Sequence, residues 1–249
     1  MIAQPPVSIR MAPPKLLVAL PVYNESASIR RVIGGWTAVL GTTVGDYVIV
    51  AINDGSTDDS GAILEDLRAA HGDRLEVRSR ENRGHGQSCI EAYLVAVERK
   101  IPYILQIDSD GQSDPRYLTM FWERRAEYDV IYGKRRRLDG PLRSGASVAL
   151  RCLLRVFEGV NCVDANVPYR LMNTDACEGA IRSIPSGVFL ANVALSVLLK
   201  RDSKLRHGVI PIDFPPRYGG EPSVPLSKFV LKGYELFTQL RKLRDNPAS

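Results

Sequence analysis

Short unbroken apolar runs, each followed by a polar loop, punctuate the first half of this chain. Residues 15–20 (KLLVAL) form the first run and pass into Pro21-Val22-Tyr23-Asn24-Glu25. Residues 47–52 (YVIVAI) form a second, β-branched run ending in Asn53-Asp54-Gly55-Ser56-Thr57-Asp58-Asp59-Ser60. A third, less apolar strand is predicted at 75–80, before Asn82-Arg83-Gly84-His85-Gly86-Gln87-Ser88. The fourth run, residues 101–107 (IPYILQI), opens straight into Asp108-Ser109-Asp110-Gly111-Gln112. Continuous apolar runs of this length read as strands buried on both faces. Between them, helices are predicted to start near Ser26, to be capped within Ser56 to Asp59, and to run through Val97. Strand, polar loop, helix, repeated, predicts an α/β fold with a mostly parallel sheet and right-handed crossovers. Such sheets bind ligands beyond the carboxyl ends of their strands, so the loops after the first, second and fourth strands are expected to share one crevice.

Composition sets limits on the rest. With 249 residues, 45% of them hydrophobic, the chain can bury a sizeable core as one domain with a C-terminal elaboration. Residues 1–14 carry Pro5-Pro6 and Pro13-Pro14 with little apolar content, which reads as a loose leader and not as an export signal. No run approaches the roughly 20 apolar residues of a membrane span, so any lipid contact is expected to be peripheral. Cys89, Cys152, Cys162 and Cys177 lack close metal-ligand spacing and are expected to be buried, reduced thiols of a cytoplasmic protein.

The formal charge of +5 is unevenly spread. Lys134-Arg135-Arg136-Arg137, Arg143, Arg151 and Arg155 follow the strand Val130-Ile131-Tyr132, and Lys228, Lys232, Arg241, Lys242 and Arg244 gather at the end. Neither a nucleic-acid motif nor aromatics interleaved with the basic run accompany them, so phosphate is the expected partner and nucleic acid is not. Beyond residue 228, Phe229, Val230, Gly233, Phe237, Leu240 and Leu243 recur at helical spacing. That stripe predicts an amphipathic helix over 229–249, which packs on its own domain or a partner, the commoner use, or lies on an anionic membrane surface.

Asp108 and Asp110 carry the sharpest chemistry. Two carboxylates one residue apart at a strand end can present hard oxygen ligands to one Mg²⁺ or Mn²⁺, and few protein ligands leave positions open for phosphate oxygens. An isolated Asp-x-Asp is otherwise an ordinary polar turn. Here Asp54 and Glu25 are expected in the same crevice, and buried strand-end carboxylates are costly unless a cation or a ligand's hydrogen bonds compensate them.

Four ordered motifs, Leu20-Pro21-Val22-Tyr23-Asn24-Glu25, Asn53-Asp54-Gly55-Ser56-Thr57-Asp58, Glu81-Asn82-Arg83-Gly84-His85-Gly86 and Asp108-Ser109-Asp110-Gly111-Gln112, resemble those of family 2 glycosyltransferases with the GT-A fold. Within that family the chain is most similar, from about Lys15 to Lys228, to the polyprenyl-phosphate glycosyltransferases, the group containing dolichol-phosphate mannose synthase. The resemblance implies a GT-A domain over 15–228, a GDP- or UDP-linked sugar donor, Mg²⁺ or Mn²⁺, inverting transfer and a polyprenyl phosphate acceptor. It implies that Pro21, Tyr23 and Glu25 line the nucleoside pocket, that Asp54 bonds the base, and that Asp108, Asp110 and Gln112 face the metal. Arg135 and Arg143 then fall where arginines contact the donor diphosphate and acceptor phosphate, as bidentate guanidinium pairing would favour. Asp164 takes the acceptor-side carboxylate position, with a turn or capping role left open, and Arg217 the place of a loop that closes over the diphosphate. The serine of that loop stays open between Ser223 and Ser227. Pro168-Tyr169 stands where the family commonly has Gly-Phe before Arg170, and the membrane spans many members carry are missing. His85, between two glycines, is expected to donate to ribose or phosphate and not to act as a base. Two other readings remain: a soluble transferase acting on a hydroxyl, which needs a true base, and a nucleotide-sugar-binding protein without turnover.

Overall fold

The computed structural model describes residues 15–137, 151–162, 165–184, 187–188 and 190–215. Seven strands form one sheet in the order β3-β2-β1-β4-β6-β5-β7. The strands are β1 (Leu16–Val22), β2 (Tyr47–Asp54), β3 (Leu75–Arg80), β4 (Tyr103–Gln106), β5 (Val130–Arg137), β6 (Arg170–Asn173) and β7 (His207–Phe214). Strands β3, β2, β1 and β4 are parallel, β6 is antiparallel to both β4 and β5, and β7 pairs parallel with β5. The expected mostly parallel α/β sheet is therefore present.

Every residue of β1 and β2 is buried, as two-sided helix cover requires and as their unbroken apolar runs anticipate. Helix α1 (Ile29–Thr43) contacts both α2 (Ser60–His71) and α4 (Leu118–Glu123). Helices α3 (His85–Arg99), α6 (Thr174–Arg182) and α7 (Ala191–Arg201) contact one another. A further helix, α5, covers residues 151–158. Helix α1 turns Ile29, Val32, Ile33, Trp36 and Leu40 inward at i, i+3, i+4 steps, each fully buried large side chain contributing about 1.5–3 kcal/mol.

Four expectations shift. The first helix begins at Ile29 and not near Ser26, because residues 24–28 are drawn into loop hydrogen bonds. Helix α3 begins at His85, so His85 lies on the helix and not in a glycine loop; Gly84 supplies the turn, with φ of 90°. The basic run continues β5 through Arg137, paired residue by residue with β7. Alternation along that strand puts Lys134 and Arg136, both exposed, on one side and Arg135 on the other, so the run is not a single patch. Gly133 permits this pairing: a Cβ there would lie 2.6 Å from Ile212 Cδ1. Cys89, Cys162 and Cys177 are buried free thiols, whereas Cys152, on α5, is exposed, contrary to expectation. The amphipathic stretch at 229–249 and the leader at 1–14 lie outside the described residues.

Candidate functional site

The strand order reverses at β1, which has β2 on one side and β4 on the other, so the crevice opens beyond the ends of β1 and β4. Strand β4 is the shorter, its last residue Gln106 pairing with Ala19. Ala19 turns its carbonyl toward β4, and Pro21, two residues on, faces the same side beyond the last β4 residue. Its missing N–H therefore costs no ladder bond, which is why a central strand tolerates proline there. Tyr23, 41% exposed, follows at the rim.

The loops after β1 and β2 are laced together. Asn24, in the left-handed region with φ of 54°, accepts from the Thr57 amide at 2.8 Å and donates its own amide to Ser56 Oγ. The Glu25 amide donates to Ser60 Oγ at 2.8 Å, and the Ser26 amide to Asp58. Partial burial pushes the Asp58 carboxyl up, but hydrogen bonds from Ser60 and Ser26 outweigh it and hold its pKa down at about 2. Ser28, buried, bonds both Glu25 Oε2 and the Ser109 carbonyl at 2.8 Å, tying the first loop to the Asp108 loop.

Asp54 ends β2 almost wholly buried. Its Oδ1 accepts from Arg80 Nη1 at 2.5 Å and from the Arg83 amide at 2.8 Å. The same Nη1 also donates to the Glu81 carbonyl, while Arg80 Nε reaches Glu91 and Nη2 reaches Ser88 Oγ. Both bonds to Asp54 fall on one oxygen, Oδ1.

Asp108 is more open, its side chain 26% exposed. Oδ1 lies 2.9 Å from Nε2 of half-exposed His85, whose Nδ1 faces the Cys89 sulfur at 3.8 Å. Partial burial pulls the ring toward neutrality, but the Cys89 sulfur and the Asp108 carboxylate outweigh it and hold the His85 pKa well above its ordinary value. Asp110 is buried and folds back to accept the Gln112 amide at 3.0 Å, with Gly111 at φ of 81° completing the turn. The motif is thus both turn and carboxylate pair. Gln112 is also engaged: its Nε2 donates to the Pro215 carbonyl at 2.6 Å, anchoring the end of β7. Among the described residues no three His, Cys, Asp or Glu side chains form a ready-made metal cage. Two adjacent carboxylates without a cage fit a cation that shares its sphere with phosphates and water.

The model of the family described as glycosyl transferase family 2 matches residues 17–169, taking in all these loops. The chain belongs to glycosyl transferase family 2. Among curated relatives it is 27% identical over 243 residues to an undecaprenyl-phosphate 4-deoxy-4-formamido-L-arabinose transferase of Klebsiella pneumoniae (strain 342), covering 96% of this chain and 70% of that one. The enzyme of the same name from Aeromonas hydrophila subsp. hydrophila is 31% identical over 150 residues, 59% of this chain and 45% of the relative. In fold, the chain resembles glucosyl-3-phosphoglycerate synthase from Mycobacterium tuberculosis, solved with Mn²⁺ and UDP-glucose, with a TM-score of 0.65, 18% identity and coverage of 92% and 78%.

In this family 2 chain the acceptor-facing half is only partly described. Arg135 sits near the end of β5 with its guanidinium 5.2 Å from the Phe214 ring centroid. Asp164, Arg143 and Arg217 lie outside the described residues. Tyr169, fully buried against Phe121 and Trp36, shows that the Pro-Tyr departure is accommodated in the core. Neither Ser28 nor Arg80 stands out in the sequence, and no motif pairs His85 with Asp108. The only local signal was spacing: His85 and Cys89 lie one helical turn apart.

Proposed function

We propose that this chain transfers a sugar from a nucleotide-sugar donor to a polyprenyl phosphate, with inversion and with the help of a divalent cation. The observation that carries this reading is the similarity to undecaprenyl-phosphate sugar transferases over 96% of the chain, extending past the donor-side loops into the half expected to hold the acceptor. Helix α5 supports it. Leu154 is buried, while Leu153, Val156 and Phe157 are exposed at 41%, 76% and 51%, with exposed Arg151 and Arg155 among them. An apolar face with arginines beside it suits an anionic lipid surface. No helix of the described residues is long and apolar enough to cross a membrane, so the contact would be peripheral.

In this reading Pro21, Tyr23 and Glu25 line the nucleoside pocket, Asp54 reads the base through Oδ2, and Asp108 and Asp110, with Gln112 beside them, hold Mg²⁺ or Mn²⁺. The bound cation supplies charge to the departing diphosphate. Arg135, Arg143 and Arg217 add guanidinium contacts to phosphates. Asp164 orients the acceptor; a phosphate oxygen is already anionic near neutral pH and needs little deprotonation. The test is incubation of the full chain with UDP- and GDP-sugars, Mn²⁺ or Mg²⁺, and undecaprenyl phosphate in detergent micelles, followed by mass spectrometry. A lipid-linked sugar is expected. Transfer to a water-soluble hydroxyl acceptor with none to the lipid would overturn the acceptor assignment.

A further inference from the structure

We propose that His85 is a positioning residue for Asp108, fixing one carboxylate oxygen so that the other faces the cation and donor phosphates. This rests on the donor-site reading above. His85 opens α3 directly after the Gly84 turn. Its Nε2 meets Asp108 Oδ1 at 2.9 Å, while Nδ1 meets the sulfur of Cys89, one turn along the helix, at 3.8 Å. Cys89 is fully buried and does not swing. Its sulfur receives Gln106 Nε2 at 3.6 Å, and Gln106 Oε1 in turn accepts from the Tyr93 hydroxyl at 2.6 Å. Gln106 is the last residue of β4, two positions before Asp108.

The donor and acceptor roles close without conflict. Nε2 carries a proton in either charge state and donates to Asp108, while Nδ1 accepts the Cys89 S–H in the neutral ring and donates to the sulfur in the imidazolium, and the sulfur accepts from Gln106 in both. A ring held at both nitrogens has one orientation, and the carboxylate it grips has one as well. Partners of this kind, which orient a ligating carboxylate from outside the metal sphere, typically change metal affinity by about 10–100-fold when lost.

The experiment is a Mn²⁺ titration of the full chain, without and with UDP, read by the loss of the free-ion electron paramagnetic resonance signal. Wild type is compared with His85→Ala, His85→Gln and His85→Asn. His85→Ala should weaken Mn²⁺ binding about 10-fold or more. His85→Gln, whose amide nitrogen reaches the position of Nε2, should recover most of that loss. His85→Asn, which reaches only as far as Nδ1, should not. All three should melt near the wild-type temperature, since the side chain is half exposed. Wild-type affinity in His85→Ala, or equal behaviour of the Gln and Asn variants, overturns the positioning role while leaving the metal reading standing. A wild-type chain that takes up no Mn²⁺ with or without UDP overturns both.

Discussion

Asp54 and Asp108 hold the same topological place, each at the carboxyl end of a parallel strand on the crevice, yet their partners differ. Asp54, its side chain 3% exposed, is matched to Arg80, itself 13% exposed and fixed on every arm. A permanent cation neutralises that carboxylate in place. Asp108 is 26% exposed and meets half-exposed His85 at the rim, so it stays open to solvent and to an incoming cation. A strand-end carboxylate is therefore structural or ligand-facing according to what touches it. In the proposed reading Asp54 combines both, locked through one oxygen and offering the other to a base.

The largest expected effect is on the locked side. Arg80→Ala leaves Asp54 and Glu91 without their shared cation and should cost about 3–5 kcal/mol of unfolding free energy, measured by urea denaturation. The corresponding change at the open site, His85→Ala, should stay within about 0.5 kcal/mol. Equal losses would erase the distinction. Next, Asp108→Asn should reduce sugar transfer by more than about 100-fold, beyond what loss of an outer partner causes, while changing stability by less than about 1 kcal/mol. Asp54→Asn should cost more stability, about 1–3 kcal/mol, because Arg80 loses its buried charged acceptor. Asp110→Asn resembles Asp108→Asn, since the amide oxygen still accepts from Gln112.

Smaller effects probe the lacing between loops. Ser28→Ala removes the bonds to Glu25 and the Ser109 carbonyl and should cost about 1 kcal/mol, with a rise in donor KM as the Asp108 loop loses its tie to the first loop. Asp58 supplies a pH signature. Its folded pKa of about 2 lies below the ordinary 3.8, so the unfolded chain binds the proton first. The stability this group contributes is complete above pH 3.8 and is lost as pH falls toward 2. Asp58→Ala should flatten that part of the stability curve relative to wild type, as followed by thermal unfolding at stepped pH.

The donor half was legible because its signals are local. Buried parallel strands write themselves as apolar runs, and β1 to β4 fall where those runs lie, with β3 at 75–80 as expected. The carboxylates and glycines of the loops follow in order. Partners were not legible: nothing adjacent to Asp54 announces Arg80, 26 residues on, and nothing near Asp108 announces His85. The start of α1 moved to Ile29 because Asn24, Glu25 and Ser26 bond to residues 56–60, a tertiary competition invisible to capping rules. Lys134 to Arg137 is expected beyond the strand Val130-Ile131-Tyr132, yet pairing with β7 and the bare Cα of Gly133 carry the strand through it.

The most direct test of the difference between the two carboxylates is Mn²⁺ affinity of the folded Asp108→Asn and Asp54→Asn chains without nucleotide, so that base contacts play no part. The account predicts that Asp108→Asn loses about 10-fold or more in affinity and that Asp54→Asn keeps the wild-type value. Retained affinity in Asp108→Asn, or the same loss in both, would contradict it.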